Sequence, residues 1–233
     1  MKKVTALLLM MLLLLTGCKG KTVMKSEDFK LSNAEFAYYY WTEINSGKDA
    51  LQESVDLSKP LDEQMYDETR TWQDYLTDHV LEQVKATMAL VFAAQDDGFE
   101  LPKDYEESLD DVIVNFTDAA MGGGYKNLSA YLKEIYGKGA KEDSFRQYLY
   151  YTHMAAAYAD TLYARSEPTE EEALAYMEKN PGAYADSGIE QAAKDLYSEN
   201  YNNAVLTAIN SYTFTVDREN IRITAPKGLY STK

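Results

Sequence analysis

Apolar residues recur every three or four positions along most of this chain, and capping residues or helix breakers bound each stretch, so the pattern predicts a mainly α protein. Ser32-Asn33-Ala34-Glu35 has the spacing of a capping box, in which Ser and Glu satisfy exposed amides of a first turn. Phe36, Tyr40 and Ile44 follow at four-residue intervals, with Ala37 and Trp41 beside them, and this helix stops near Ser46-Gly47. A long helix is predicted over 62–97: Trp72, Leu76, Val80, Val84, Met88 and Val91 step along one face, and Gly98 takes the C-terminal position. Pro102 opens the next, with Tyr105, Leu109, Val112, Ile113 and Phe116 on its apolar side. The run Met121 to Tyr125 ends it, because three successive glycines cost too much backbone entropy inside a helix.

The second half continues in the same way. Asn127 caps a short helix carrying Leu128, Tyr131, Leu132 and Ile135, which the glycines of 137–139 break. A helix over 142–165 bears Phe145, Leu149, Thr152, Ala156, Tyr158 and Leu162. Thr169 and Glu172 form a second capping box, whose helix runs through Met177 to Asn180-Pro181-Gly182. A last helix over 189–210 leads to an alternation at Phe214, Val216, Ile221 and Ile223 that predicts one or two short strands. No fixed-period repeat is present.

The N-terminus has a different pattern. Lys2 and Lys3 precede an almost unbroken apolar run, Val4 to Leu15, and small residues stand directly before Cys18, the order of a secretory signal over 1–17. The run is shorter than the roughly 20 residues a transmembrane helix needs. Leu15-Thr16-Gly17-Cys18 resembles the lipobox of bacterial lipoproteins, which implies cleavage after Gly17 and acylation of Cys18 as a lipid anchor. Residues 18–30 then read as a lipidated polar tether, 31–224 as a single helical domain and 225–233 as a tail. The location implied is extracytoplasmic, on a bacterial membrane, either at the outer face of the cell membrane or facing a periplasm. With Cys18 acylated, no thiol remains for a disulfide or for catalysis.

Composition narrows the partners. Removing Lys2 and Lys3 with the signal takes 23 Lys plus Arg to 21 against 38 Asp plus Glu, so the formal charge moves from −15 to −17. That excess argues against nucleic acid and anionic lipid surfaces, while basic or neutral peptides stay compatible. Twenty Tyr against 7 Phe and 2 Trp suit helix faces that are half covered, since Tyr buries a ring and keeps a hydroxyl for water. Little in the chain points to catalysis or a cofactor. His79 and His153 lack a second His four residues away, no HExxH or CxxC occurs, and no serine sits in a GxSxG setting. Glu170 to Glu172 lie where a helix N-terminus favours negative charge. The reading has no catalytic residue, no metal and no cofactor.

The order of elements resembles a family. Phe29–Ser46, the tryptophan-led helix ending in "AAQDDGFELP", Ala130–Leu149 and Pro168–Tyr184 resemble the N-terminal chaperone region of SurA-type and PrsA-type foldases, to which the trigger-factor C-terminal fold is related. Residues 191–223 resemble the closing helix and strand that, in those proteins, return to the N-terminal lobe after a parvulin isomerase domain. Here "AYADSGIE" joins the two pieces near 184–189, which leaves no room for that domain or its isomerase activity. The resemblance implies a helical cradle that holds unfolded or newly exported polypeptides. Phe36, Tyr39, Tyr40, Trp41 and Trp72 are the candidates for client contact, with core packing the usual role of aromatics at helical spacing. An adaptor that binds one dedicated envelope partner on the same lobe is the alternative, and a homodimer is compatible with either. An enzyme would require a clustered acidic cleft, and a solute-binding lipoprotein would alternate strands and helices.

Overall fold

In the computed structural model, which describes residues 21–27, 29–185 and 187–226, strand β1 (Thr22–Lys25) lies at the centre of a small antiparallel sheet. The sequence reading places these residues in a polar tether. Instead Val23 and Met24 are fully buried, while Lys25 is exposed. β1 pairs with β2 (Lys30–Ser32) on one side and with β3 (Thr215–Val216) on the other, in register Met24 to Val216 and Lys25 to Thr215. Four residues with two adjacent buried positions show no alternation, and the β3 partner, nearly 200 residues away, leaves no local mark. Cys18 and the 1–17 signal lie outside the described residues.

The described residues are mainly helical. Helices α1 (Asn33–Ser46) and α2 (Lys48–Gln52) precede α3 (Trp72–Asp96), α4 (Lys103–Gly122), α5 (Leu128–Tyr136), α6 (Glu142–Arg165), α7 (Glu170–Lys179) and α8 (Gly188–Asn210). Both capping boxes form as read, at Ser32 with Glu35 and at Thr169 with Glu172. Asn127 caps α5, and Gly98, at φ 64°, turns the chain out of α3. One expectation needs correction: the long helix starts at Trp72 rather than Asp62, because Thr71 and Asp74 bond reciprocally in a capping box that uses the shorter acid. Of the one or two terminal strands expected, β3 is the one that forms, and at residues 221–223 the Asn33 side chain instead accepts from Arg222 N (2.6 Å) and donates to Arg222 O (2.9 Å), so a side-chain amide takes the place of a pairing strand.

The chain divides into two compact units, each built from separated segments. The first holds the described residues up to Thr77, Phe116–Tyr148 and those from Phe214 on. Its core is α1, whose residues 36–41 are all buried in succession. A helix apolar all round needs cover on every side. The sheet, α2 and α5 contribute to that cover. Tyr38 is fully buried, and its hydroxyl accepts from Lys141 N (2.9 Å) and lies 2.8 Å from Ser144 Oγ, capping the start of α6 from another element. Ser129 Oγ accepts from Glu142 N (3.1 Å) at the same helix end.

The second unit comprises Asp78–Asn115 and Leu149–Thr213. Val80, Val84, Met88 and Val91 of α3 are fully buried, and α7 packs on α8 with Ala173 and Ala192 buried. Helices α3, α4 and α6 each pass from one unit's residues into the other's. Their apolar periodicity runs on without a break, so the division has no linker to read in the sequence.

Candidate functional site

Of the five aromatic residues expected to contact clients, four are core. Phe36 and Tyr40 are fully buried, Trp41 is 1 % exposed and Tyr39 8 %. They do not line an open surface, because consecutive positions on α1 all find cover. Trp41 packs edge-on against Tyr40, and Tyr39 against Tyr148. Trp72 differs: it is half-buried at the start of α3, beside a surface loop.

That loop, residues 64–71, is a small hairpin. Met65 bridges Thr71, Tyr66 N donates to Arg70 O (2.9 Å) and Trp72 N to Gln64 O (2.9 Å). At its tip one Asp67 oxygen accepts from Thr69 N, Thr69 Oγ1 and Arg70 N, while the other accepts from Arg70 Nε (2.8 Å) and Nη2 (2.6 Å). These donors, the Thr69 amide foremost, hold the Asp67 carboxyl well below the usual carboxylate range. The tightened loop lays Tyr66 flat on Tyr75, with ring centroids 3.9 Å apart and planes 11° from parallel. Trp72 meets Tyr66 edge-on at 4.9 Å, and the Arg70 guanidinium sits 5.3 Å from the Tyr66 centroid.

The result is a rigid aromatic shelf with Met65 beside it, 59 % exposed, and Tyr66 38 % exposed. Its one cation is held by Asp67, so it presents π faces and a thioether. Such a surface takes up apolar, aromatic or proline side chains by contact. Of this group only Trp72 stands out in the sequence, at the head of the apolar stripe of α3. Met65 and Tyr66 lie in a stretch without periodicity, and Tyr75 lies three residues beyond Trp72, off the stripe used to place the helix.

The second unit has its own exposed aromatic group. Tyr163, 51 % exposed, lies 4.5 Å from Tyr197 and 5.3 Å from Tyr201, ring to ring, on α6 and α8. A concavity of about 590 Å³ beside Lys48 and 52–58 is walled by a loop whose carbonyls at Asp56, Lys59 and Pro60 already accept from the Gln64 amide. Among the described residues no three His, Cys, Asp or Glu side chains gather as metal ligands, and no helix is long and apolar enough to cross a membrane. His79 lies 3.0 Å from Gln83, and His153 Nδ1 lies 2.8 Å from Leu149 O. No family model, curated protein or solved structure matches the chain.

Proposed function

We propose that this chain is a membrane-anchored, extracytoplasmic holdase-like lipoprotein that binds unfolded or newly exported polypeptides, with a SurA-type and PrsA-type helical architecture and no isomerase domain. The observation that carries the reading is the shelf on a braced loop, where Met65 and Tyr66 are exposed beside the half-buried Trp72 and Tyr75. Two features of the fold support it. The C-terminal strand β3 pairs with β1, as a closing strand that returns to the N-terminal lobe would. Only residues 180–187 separate α7 from α8, too few for a catalytic domain with its own core. Cys18 supplies the anchor, and Cys18→Ser abolishes both incorporation of labelled fatty acid and recovery in the membrane fraction.

The test uses the full chain in mild detergent, mixed with several chemically unfolded and unrelated proteins, with aggregation followed by light scattering. Suppression across clients at micromolar concentration, weakened several-fold by Met65→Ser with Tyr66→Ser, is the expected result. Failure to suppress any of them removes general holdase activity and leaves a dedicated adaptor as the better account.

A further inference from the structure

Between α4 and α6 of the second unit lies a cleft of about 450 Å³, lined by Asp104, Tyr105, Ser108, Thr152, His153 and Ala156. Its hydrogen-bond inventory is lopsided. The Tyr105 hydroxyl donates to Asp160. Thr152 Oγ1 donates to Leu149 O at 2.9 Å. His153 Nδ1 lies 2.8 Å from that same carbonyl, which can only accept, so in the neutral ring Nδ1 carries the hydrogen and Nε2 is a bare acceptor. Three of the donors are thus spent inside the protein, and only the rotatable Ser108 hydroxyl keeps one.

What the cleft offers a ligand is the Asp104 carboxylate, the His153 Nε2 lone pair, the lone pairs of Thr152 and the ring of Tyr105, which stands perpendicular to His153 with centroids 6.5 Å apart. Nearby charge has the same sign: Asp160 is bonded to Tyr105, and Lys103, the cation at the start of α4, is tied to Glu107 at 2.8 Å. The N-terminus of α4 contributes roughly half a positive charge. The full charges of Asp104 and Asp160 outweigh it.

We infer that this cleft binds an organic cation rich in N–H donors, a primary ammonium or a guanidinium, with its alkyl stem against Tyr105 and Ala156. Asp104 supplies the counter-charge, and the acceptors of Thr152 and His153 take the N–H groups. The same chemistry arrives on a free polyamine or on a lysine or arginine side chain of a polypeptide. The inference is independent of the holdase reading and stands if generic client binding fails.

Calorimetric titration of the full chain in mild detergent, at low salt, compares spermidine, a short lysine-containing peptide and tetramethylammonium. Expected is saturable one-to-one binding of spermidine or the peptide, with tetramethylammonium at least ten-fold weaker because it has no N–H to donate. Whichever of the first two binds more tightly identifies the source. Asp104→Asn, on an exposed helix position, weakens binding at least five-fold, whereas Asp49→Asn in the first unit leaves it unchanged. Binding that does not saturate, that ignores Asp104→Asn, or that is equal for tetramethylammonium overturns the inference.

Discussion

Replacing Tyr38 by Phe isolates the device that joins α1 to the start of α6. The ring stays, so its contacts with Tyr136, Phe145 and Tyr148, at centroid distances of 5.1, 5.5 and 5.6 Å, are kept. Only the hydroxyl goes. Lys141 N then loses the acceptor it holds at 2.9 Å, while Lys141 O keeps Ser144 Oγ at 3.1 Å. One donor is left unsatisfied at a fully buried ring, which costs about 1–3 kcal/mol. Ser144→Ala, by contrast, leaves the Tyr38 hydroxyl its bonds to Lys141 and costs about 0.5–1 kcal/mol. Both tryptophans belong to the first unit, so their fluorescence in a urea titration follows that unit. With a slope of about 2 kcal/mol per molar urea, Tyr38→Phe lowers the midpoint by roughly 0.5–1.5 M. A shift no larger than that of Ser144→Ala refutes the capping role.

A methyl group added at Gly139 would lie 2.5 Å from the Ala34 Cβ, so Gly139→Ala is expected to destabilise the first unit by about 1–3 kcal/mol; Ala34→Gly should recover part of that loss in a double-mutant cycle read by the same fluorescence. Tyr158 and Tyr212 are pushed up to about 12, by burial first and by Asp97 and Asp96 next. A pKa raised above the unfolded value of about 10 stabilises the protein below pH 10, a contribution lost as pH rises from 10 to 12. Phenolate absorbance of the folded chain should therefore lag that of the unfolded chain, with Asp97→Asn moving the Tyr158 step only part of the way back; superimposable curves contradict this. Asn33→Ala should cost about 1 kcal/mol and speed hydrogen exchange at the Arg222 amide, and an unchanged exchange rate would show that the side-chain clamp does not hold that segment.

Local signals were legible and distant ones were not. The bounds 142–165 for α6, both capping boxes and the turn at Gly98 follow from residues within a few positions of one another. The start of α3 was missed because Asp74 fills a place where Glu or Gln is the usual signal. β1 is hidden because its two buried residues sit among polar neighbours, β2 is only three residues long, and the other partner, β3, is remote. The stripe at Phe36, Tyr40 and Ile44 is legible as apolar, but a stripe cannot reveal that the opposite face is covered too. That second cover turned the expected client-contacting residues of α1 into core. The shelf at Tyr66 escaped for the converse reason, since loops have no period.

Tyrosine's abundance has a physical basis in the second unit. Acids outnumber bases by 38 to 23, so cations cannot partner every carboxylate. Five hydroxyls there donate to acids instead: Tyr105 to Asp160, Tyr158 to Asp97 (2.7 Å), Tyr176 to Glu199 (2.9 Å), Tyr184 to Asp195 (2.9 Å) and Tyr212 to Asp96 (2.6 Å). Phe would give similar apolar cover and leave each acid without that donor. Lys would partner the acid but lose more side-chain entropy in doing so. Tyr does both while leaving the net charge unchanged. Tyr66 and Tyr163 depart from this use: Tyr66 stacks on Tyr75, Tyr163 lies tilted against Tyr197, and both stay exposed. A tyrosine whose hydroxyl is tied to a carboxylate serves the fold, whereas Tyr66 and Tyr163, positioned by neighbouring rings, leave an aromatic face to offer a passing chain, and this separates the two from the five carboxylate-bonded tyrosines of the second unit.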